Sequence, residues 1–264
     1  MLNRKISGFM LALALFFSFS CLAEDWSKLE VQYKRGTLDT PEFAGGGDES
    51  TEVWTVQYSG NWKYGDNFFF VDLLESGDTV FNNSDAYLEW YTNFSLGKVT
   101  GNKIGFGPVR DIGIIFGINY GADENVKKYL PGVRFSLDLP GFEFANLDVT
   151  AYIDDNAAVG HGGAPAEDDS FMIDFNWAYP FSFGNQDFSI EGHIEYIGER
   201  DNELDDTIEA HILAQPQFRW DAGKAWFQTP QQLFVGIEYQ YWQNKLGDKD
   251  TDESAAQLLA VWRF

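Results

Sequence analysis

From about residue 26 to the final residue, the chain repeats one pattern roughly a dozen times: apolar and aromatic side chains on every second position, with polar ones between them. That period belongs to an extended strand with one apolar and one wet face. Residues 207–220 carry it most plainly. There Ile208, Ala210, Ile212, Ala214, Pro216, Phe218 and Trp220 alternate with Thr207, Glu209, His211, Leu213, Gln215, Gln217 and Arg219. Leu233, Val235, Ile237, Tyr239 and Tyr241 alternate in the same way with Gln232, Glu238 and Gln240. Phe188, Ile190, Ile194 and Tyr196 alternate with Ser189, Glu191, His193 and Glu195.

The pattern predicts strands near 26–35, 51–62, 67–75, 85–96, 109–120, 129–139, 142–153, 170–181, 187–197, 207–220, 231–243 and 254–264. Their number is even, and most approach the roughly 9–11 residues that a tilted strand needs to cross a bilayer. The connections 36–50, 76–84, 121–128, 154–169, 198–206 and 244–253 are rich in Gly, Asp, Asn and Glu and read as external loops. Residues 63–66, 140–141 and 184–186 read as tight turns on the other side, while 97–108 and 221–230 are longer than such turns usually are. The expected fold is an all-β, twelve-stranded antiparallel transmembrane barrel forming a single domain over 24–264.

Alternation alone does not say which face is inside. A soluble sandwich or lipocalin-like barrel would bury the apolar face, whereas a water-filled membrane barrel exposes it to lipid. Trp54, Trp62, Trp177, Tyr179, Trp220, Tyr239, Tyr241 and Trp262 lie on the apolar face near strand ends, as an aromatic girdle requires. The chain closes on Leu258, Ala260, Trp262 and Phe264 at alternate positions, so the last strand is apolar to its carboxylate. A terminal aromatic of this kind is the usual assembly signal of outer-membrane barrels.

The first residues fit export. Arg4 and Lys5 precede an apolar run over residues 6–19, and small residues lead to Ala23 before the acidic Glu24 and Asp25. This is the layout of a signal peptide, residues 1–23, too short to span a bilayer as a helix. Cys21 is the single cysteine, and Ser18, Phe19 and Ser20 before it make a poor lipoprotein box. Cleavage after Ala23 removes two basic side chains, leaving 16 basic against 41 acidic, a net charge of −25. That charge disfavours nucleic-acid partners, and without cysteine no disulfide or thiolate chemistry is available.

Several segments resemble one family. Residues 67–74 (NFFFVDLL), 86–91 (AYLEWY) with 95–98 (SLGK), 107–111 (GPVRD), 238–245 (EYQYWQNK) and 252–254 (DES) are similar to the nucleoside-specific channel proteins of the Tsx type, most closely the OmpK branch. The resemblance implies a monomeric twelve-stranded barrel with a narrow lumen that binds nucleosides weakly in passage. It also implies a role of the outer loops as a bacteriophage receptor. This chain is shorter than the nucleoside channels, and its strand motifs match better than individual ligand contacts do.

With the apolar parity facing outward, the lumen receives Phe68, Phe70, Asp72, Tyr87, Glu89, Tyr91, Tyr152, Glu191, His193, Glu195, Glu209, His211, Arg219, Glu238 and Trp242. Arg134, Asp148, Asp174, Asn176, Gln217 and Gln240 share that parity. A nucleoside joins a flat base to a hydroxylated sugar, so its passage needs ring faces for stacking and carboxylates or amides for hydrogen bonds. Stacking contributes roughly 1–3 kcal/mol per base, and a channel must bind weakly enough to release. The alternatives are a general or cation-preferring porin, or a scaffold whose loops serve as an adhesion or phage surface.

No catalytic residues, metal or cofactor are expected. The histidines are His161, His193 and His211, and no Gly-x-Ser-x-Gly elbow accompanies them. Asp248, Asp250 and Asp252 begin like a calcium loop, but Glu253 stands where the turn glycine belongs and Leu259 where the bidentate glutamate does. Outer-membrane lipid and lipopolysaccharide are the expected surroundings, the latter bridged to acidic loops through divalent cations.

Overall fold

The computed structural model describes residues 26–77 and 84–264. The expected signal peptide, its cleavage point, Cys21, and positions 78–83 of the loop expected at 76–84 lie outside the described residues.

The alternating segments close into one antiparallel barrel. β1 (Ser27–Asp39), β2 (Asp48–Trp62), β3 (Gly65–Glu75), β4 (Ser84–Ser95), β5 (Val109–Gly121), β6 (Val126–Leu137), β7 (Phe144–Asp154), β8 (Ser170–Phe183) and β9 (Gln186–Ile197) pair in chain order. Outside the wall, β10 (Arg200–Asp201) and β11 (Thr207–Ile208) make a small ribbon. The next stave is in two pieces, β12 (His211–Ala214) and β13 (Gln217–Asp221), both held between β9 and β14 (Leu233–Gln243). β15 (Glu253–Arg263) pairs with β14 and returns to β1, from Glu30↔Arg263 to Arg35↔Leu258. Twelve staves result. Closure leaves no edge strand, the condition under which a sheet can stand in hydrocarbon.

The strand expected at 207–220 is where local chemistry departs from the pattern. Thr207 and Ile208 leave the wall for the outer ribbon, and Pro216, which lacks an N–H, opens the ladder between Ala214 and Gln217. Facing the gap, Gly192 (φ 148°) lies where a Cβ would stand 2.4 Å from the Gln215 carbonyl. The register survives the gap, with Ala214↔Ile194 before it and Gln217↔Glu191 after it. Side-chain parity is therefore unbroken.

Short turns join the staves at one end, as at Gly184, whose φ of 60° lies in the left-handed region that favours glycine. Both longer connections at that end are ordered by their own polar groups. In the first, a one-turn helix, α1 (Leu96–Thr100), is capped by the Ser95 hydroxyl, which accepts from Lys98 N–H. In the second, the Asp221 carboxylate accepts from the N–H of Lys224 at 2.8 Å and of Gln231 at 2.7 Å, holding the turn Gly223–Phe227.

Which face is inside is settled by burial. Leu258 is 70% exposed, Trp54 51% and Ile237 47%, while Arg219, Glu30, Gln32 and Gln257 are fully buried. A soluble protein has the opposite distribution. Cross-wall bonds agree: Arg219 on β13 reaches Glu30 on β1, and Arg134 on β6 reaches Asp66 on β3. On the outer wall aromatic rings pack side by side, as in Tyr33–Trp54 (4.9 Å), Phe181–Phe188 (5.4 Å) and Phe188–Phe218 (5.6 Å). The soluble sandwich is excluded, and the apolar face is the one that meets lipid.

Candidate functional site

The lumen is crossed by two braces. In one, Arg134 donates from Nε and Nη2 to both oxygens of Asp148, at 2.8 and 2.6 Å, and from Nη1 to Asp66 at 2.7 Å. In the other, Arg219 lies 3.2 Å from Glu30 and 3.1 Å from Glu191 and donates to Gln217 at 2.7 Å. Arg263 adds a 2.6 Å contact to Glu30, and Lys34 stands between Glu238 and Asp72 at 3.4 and 3.6 Å. A carboxylate or guanidinium in a confined interior needs such partners, because desolvation otherwise costs several kcal/mol. Much of the acidity expected of the lumen is thus neutralised by arginine and lysine within it.

The unbraced part of the wall is aromatic and acidic. Phe68 and Phe70 share the inward parity of Asp66 and Asp72, with ring centroids 6.0 Å apart, and Phe70 lies 6.1 Å from Tyr87 on β4. The Tyr87 hydroxyl donates to Glu89 at 2.7 Å, and Tyr91 donates to Asn119 at 3.1 Å. Glu89 is in electrostatic reach of Asp174, His193 and Glu195 on the facing staves β8 and β9. His193 bonds Asp174 through Nδ1 at 3.1 Å and Gln215 Oε1 through Nε2 at 3.0 Å.

The structure distributes the expected site residues unevenly. Phe68, Phe70, Tyr87, Glu89 and Tyr91 line the lumen on the paired staves β3 and β4, and His193 and Glu195 line it on β9, in electrostatic reach of Glu89. Asp72, Glu191, Arg219 and Glu238 are also inside, but each is held in a brace. Tyr152 is only 9% exposed, with Lys128 and Arg200 over its ring at 5.3 and 5.2 Å, so it acts as packing. Trp242 has Lys245 over its ring at 5.5 Å. Glu209 does not lie on a lumen strand: it sits between β11 and β12, where its carbonyl accepts from His211 Nδ1 at 3.1 Å. The reason is the departure of Thr207 and Ile208 from the wall. His211 itself is buried at the mouth.

Strand parity was enough to find what the expected set left out. Leu130, Met172 and Ile197 point inward with Tyr152 and make an apolar cluster against Tyr91. Phe234, Leu259 and Val261 form a second cluster on the wall beside β1. These apolar residues share the parity of Arg134, Asp174, Glu195, Glu238 and Gln257, but their chemistry hid them among the lipid-facing residues.

Several acids of the outer loops have partners within the loops. Burial raises the Glu167 carboxyl, but Arg200 and Lys128 outweigh it and hold the group below its ordinary value. Backbone N–H groups of Val159 and Ala166 lower Glu203. Asp248 accepts from the N–H of Glu42 at 2.7 Å and of Asp250 at 3.1 Å, and from the Thr251 hydroxyl at 2.8 Å. The acids of the 244–252 segment thus serve a turn.

The sequence pattern that defines the nucleoside-specific channel-forming protein family, Tsx, matches residues 32–261. Among solved structures, the chain is similar to the NanC porin, with TM-score 0.50 and 12% identity over 89% of this chain and 100% of that one. It also resembles the COG4313 outer membrane channel from Pseudomonas putida F1 (TM-score 0.49, 11% identity, 92% and 96% covered) and the KdgM porin (0.47, 10%, 89% and 99%). No curated protein matches the chain.

Proposed function

The chain belongs to the Tsx family of nucleoside-specific channel-forming proteins, and from that premise we propose that this outer-membrane channel passes nucleosides. The observation that carries the reading is the aromatic ladder of Phe68, Phe70 and Tyr87, set beside Glu89 and facing Glu195. Rings that face a wet lumen keep apolar surface in water instead of burying it in a core. Stacking against the flat base of a solute takes part of that surface out of water. The carboxylates beside them accept sugar hydroxyls, and their sign disfavours nucleotides. Twelve staves leave a bore between the filled eight-stranded barrel and the open general porins.

Residues 1–23 are read as a leader removed on export, and the barrel as a monomer. Proteoliposome swelling tests the reading. Adenosine and thymidine are expected to enter faster than sugars of similar size. Equal rates would leave a general or cation-preferring porin, and no swelling would favour a scaffold whose outer loops are the working surface, for instance for a phage.

A further inference from the structure

Asp174 on β8 and Glu195 on β9 are directly opposite in the strand register, both inward and each only 8% exposed. Like charges so placed repel. The basic side chain beside them, His193, is already bonded to Asp174 at 3.1 Å and to Gln215 at 3.0 Å. Glu195 accepts no hydrogen bond among the described residues, and Glu89 adds a further carboxylate from across the lumen. Tyr87 donates to Glu89, and Asn176 and His193 serve Asp174, which leaves Glu195 as the acid without a hydrogen-bond partner among the described residues.

We propose that Asp174, His193 and Glu195 bind a single divalent transition-metal cation of the zinc class in the lumen. One ligand atom from each lies within 4.8 Å of the others. An ion making bonds of about 2.0–2.2 Å to nitrogen and carboxylate oxygen holds its ligand atoms about 3.4 Å apart at tetrahedral angles, so these side chains close inward by about 1 Å as it binds. A mixed imidazole and carboxylate set favours zinc or a similar first-row ion.

The surrounding groups complete the site. Asn176 donates to the second Asp174 oxygen at 2.7 Å, fixing that carboxylate. Gln215 donates to Gln240 at 3.0 Å, so its own oxygen is turned to accept from His193 Nε2–H. Nδ1 is then the ligating nitrogen and releases its proton to water when the ion enters. This is the usual outer-shell arrangement for a metal-bound histidine. Glu195, unbonded without the ion, becomes its third ligand.

The proposal goes beyond nucleoside passage and is tested without solute. The full chain, purified from membranes in detergent, is titrated with ZnCl2 by calorimetry. One ion per chain is expected. Glu195→Gln and His193→Gln should each weaken binding at least about tenfold, while Glu203→Gln, in an outer loop, leaves it unchanged. Because Glu195 bonds nothing, its amide variant keeps the barrel, checked by heat-modifiable migration in gels, and carries the test even where His193→Gln fails to fold. No saturable binding, or binding that Glu195→Gln leaves intact, overturns the proposal.

Discussion

Replacing Arg134 with methionine is expected to destabilise the barrel by about 3–5 kcal/mol, the cost of leaving a buried carboxylate without its cation. Both oxygens of Asp148 are held by Arg134, and the remaining donor is Asn176 at 3.3 Å. Asp66 loses its 2.7 Å contact as well, and with it the tie between β3 and β6. Urea unfolding in lipid vesicles, followed by tryptophan fluorescence, reads the change. Adding Asp148→Leu to Arg134→Met removes the orphaned charge, so the double variant should recover much of the loss. Equal stability of wild type and Arg134→Met would mean that lumen water solvates Asp148 well enough to make the brace dispensable.

Phe68→Ala with Phe70→Ala is expected to weaken adenosine binding in the pore by about 5- to 150-fold, the equivalent of roughly 1–3 kcal/mol for one lost stack. Sugar entry should hold or rise, since two rings leave the bore and nothing in a sugar stacks on them. The sites lie on the inward face of β3, between Asp66, which Arg134 holds, and Asp72, which Lys34 holds, and neither ring is part of those ion pairs, so the wall itself stays closed. An unchanged adenosine affinity would remove the aromatic ladder from the solute path and shift the question to Tyr87 and Tyr91.

The wall was legible in the sequence because its physics is local. A side chain's parity along a strand decides whether it meets lipid or water, and parity can be counted without knowing the register. Ile237, Tyr239 and Trp262 were placed outward in this way, and Glu238, Arg219 and His193 inward. Pro216 keeps the alternating parity, so the break it makes in the ladder leaves no mark on the pattern. Because Thr207 and Ile208 keep the alternation while pairing with β10 outside the wall, the strand was drawn four residues too far, to 207, and Glu209 was carried into the lumen with it.

The pairing inside the lumen was not legible, because it depends on which staves face each other across the bore. Asp66 and Arg134 are 68 positions apart, and Glu30 and Arg219 are 189 apart. Nothing in their spacing says that they meet. For the same reason Glu191 and Glu238 read as free acceptors, although Arg219, Gln217, Lys34 and Gln257 already occupy them. The Asp174, His193 and Glu195 cluster stayed hidden because it joins two neighbouring strands and needs their register to be seen.

Planar-bilayer recording of the purified chain, with adenosine or thymidine added to one side, tests nucleoside passage most directly. Discrete conductance steps are expected, with current reduced reversibly and saturably by either nucleoside and little affected by a sugar of similar size. A steady pore indifferent to both nucleosides, or no conductance at all, would contradict it.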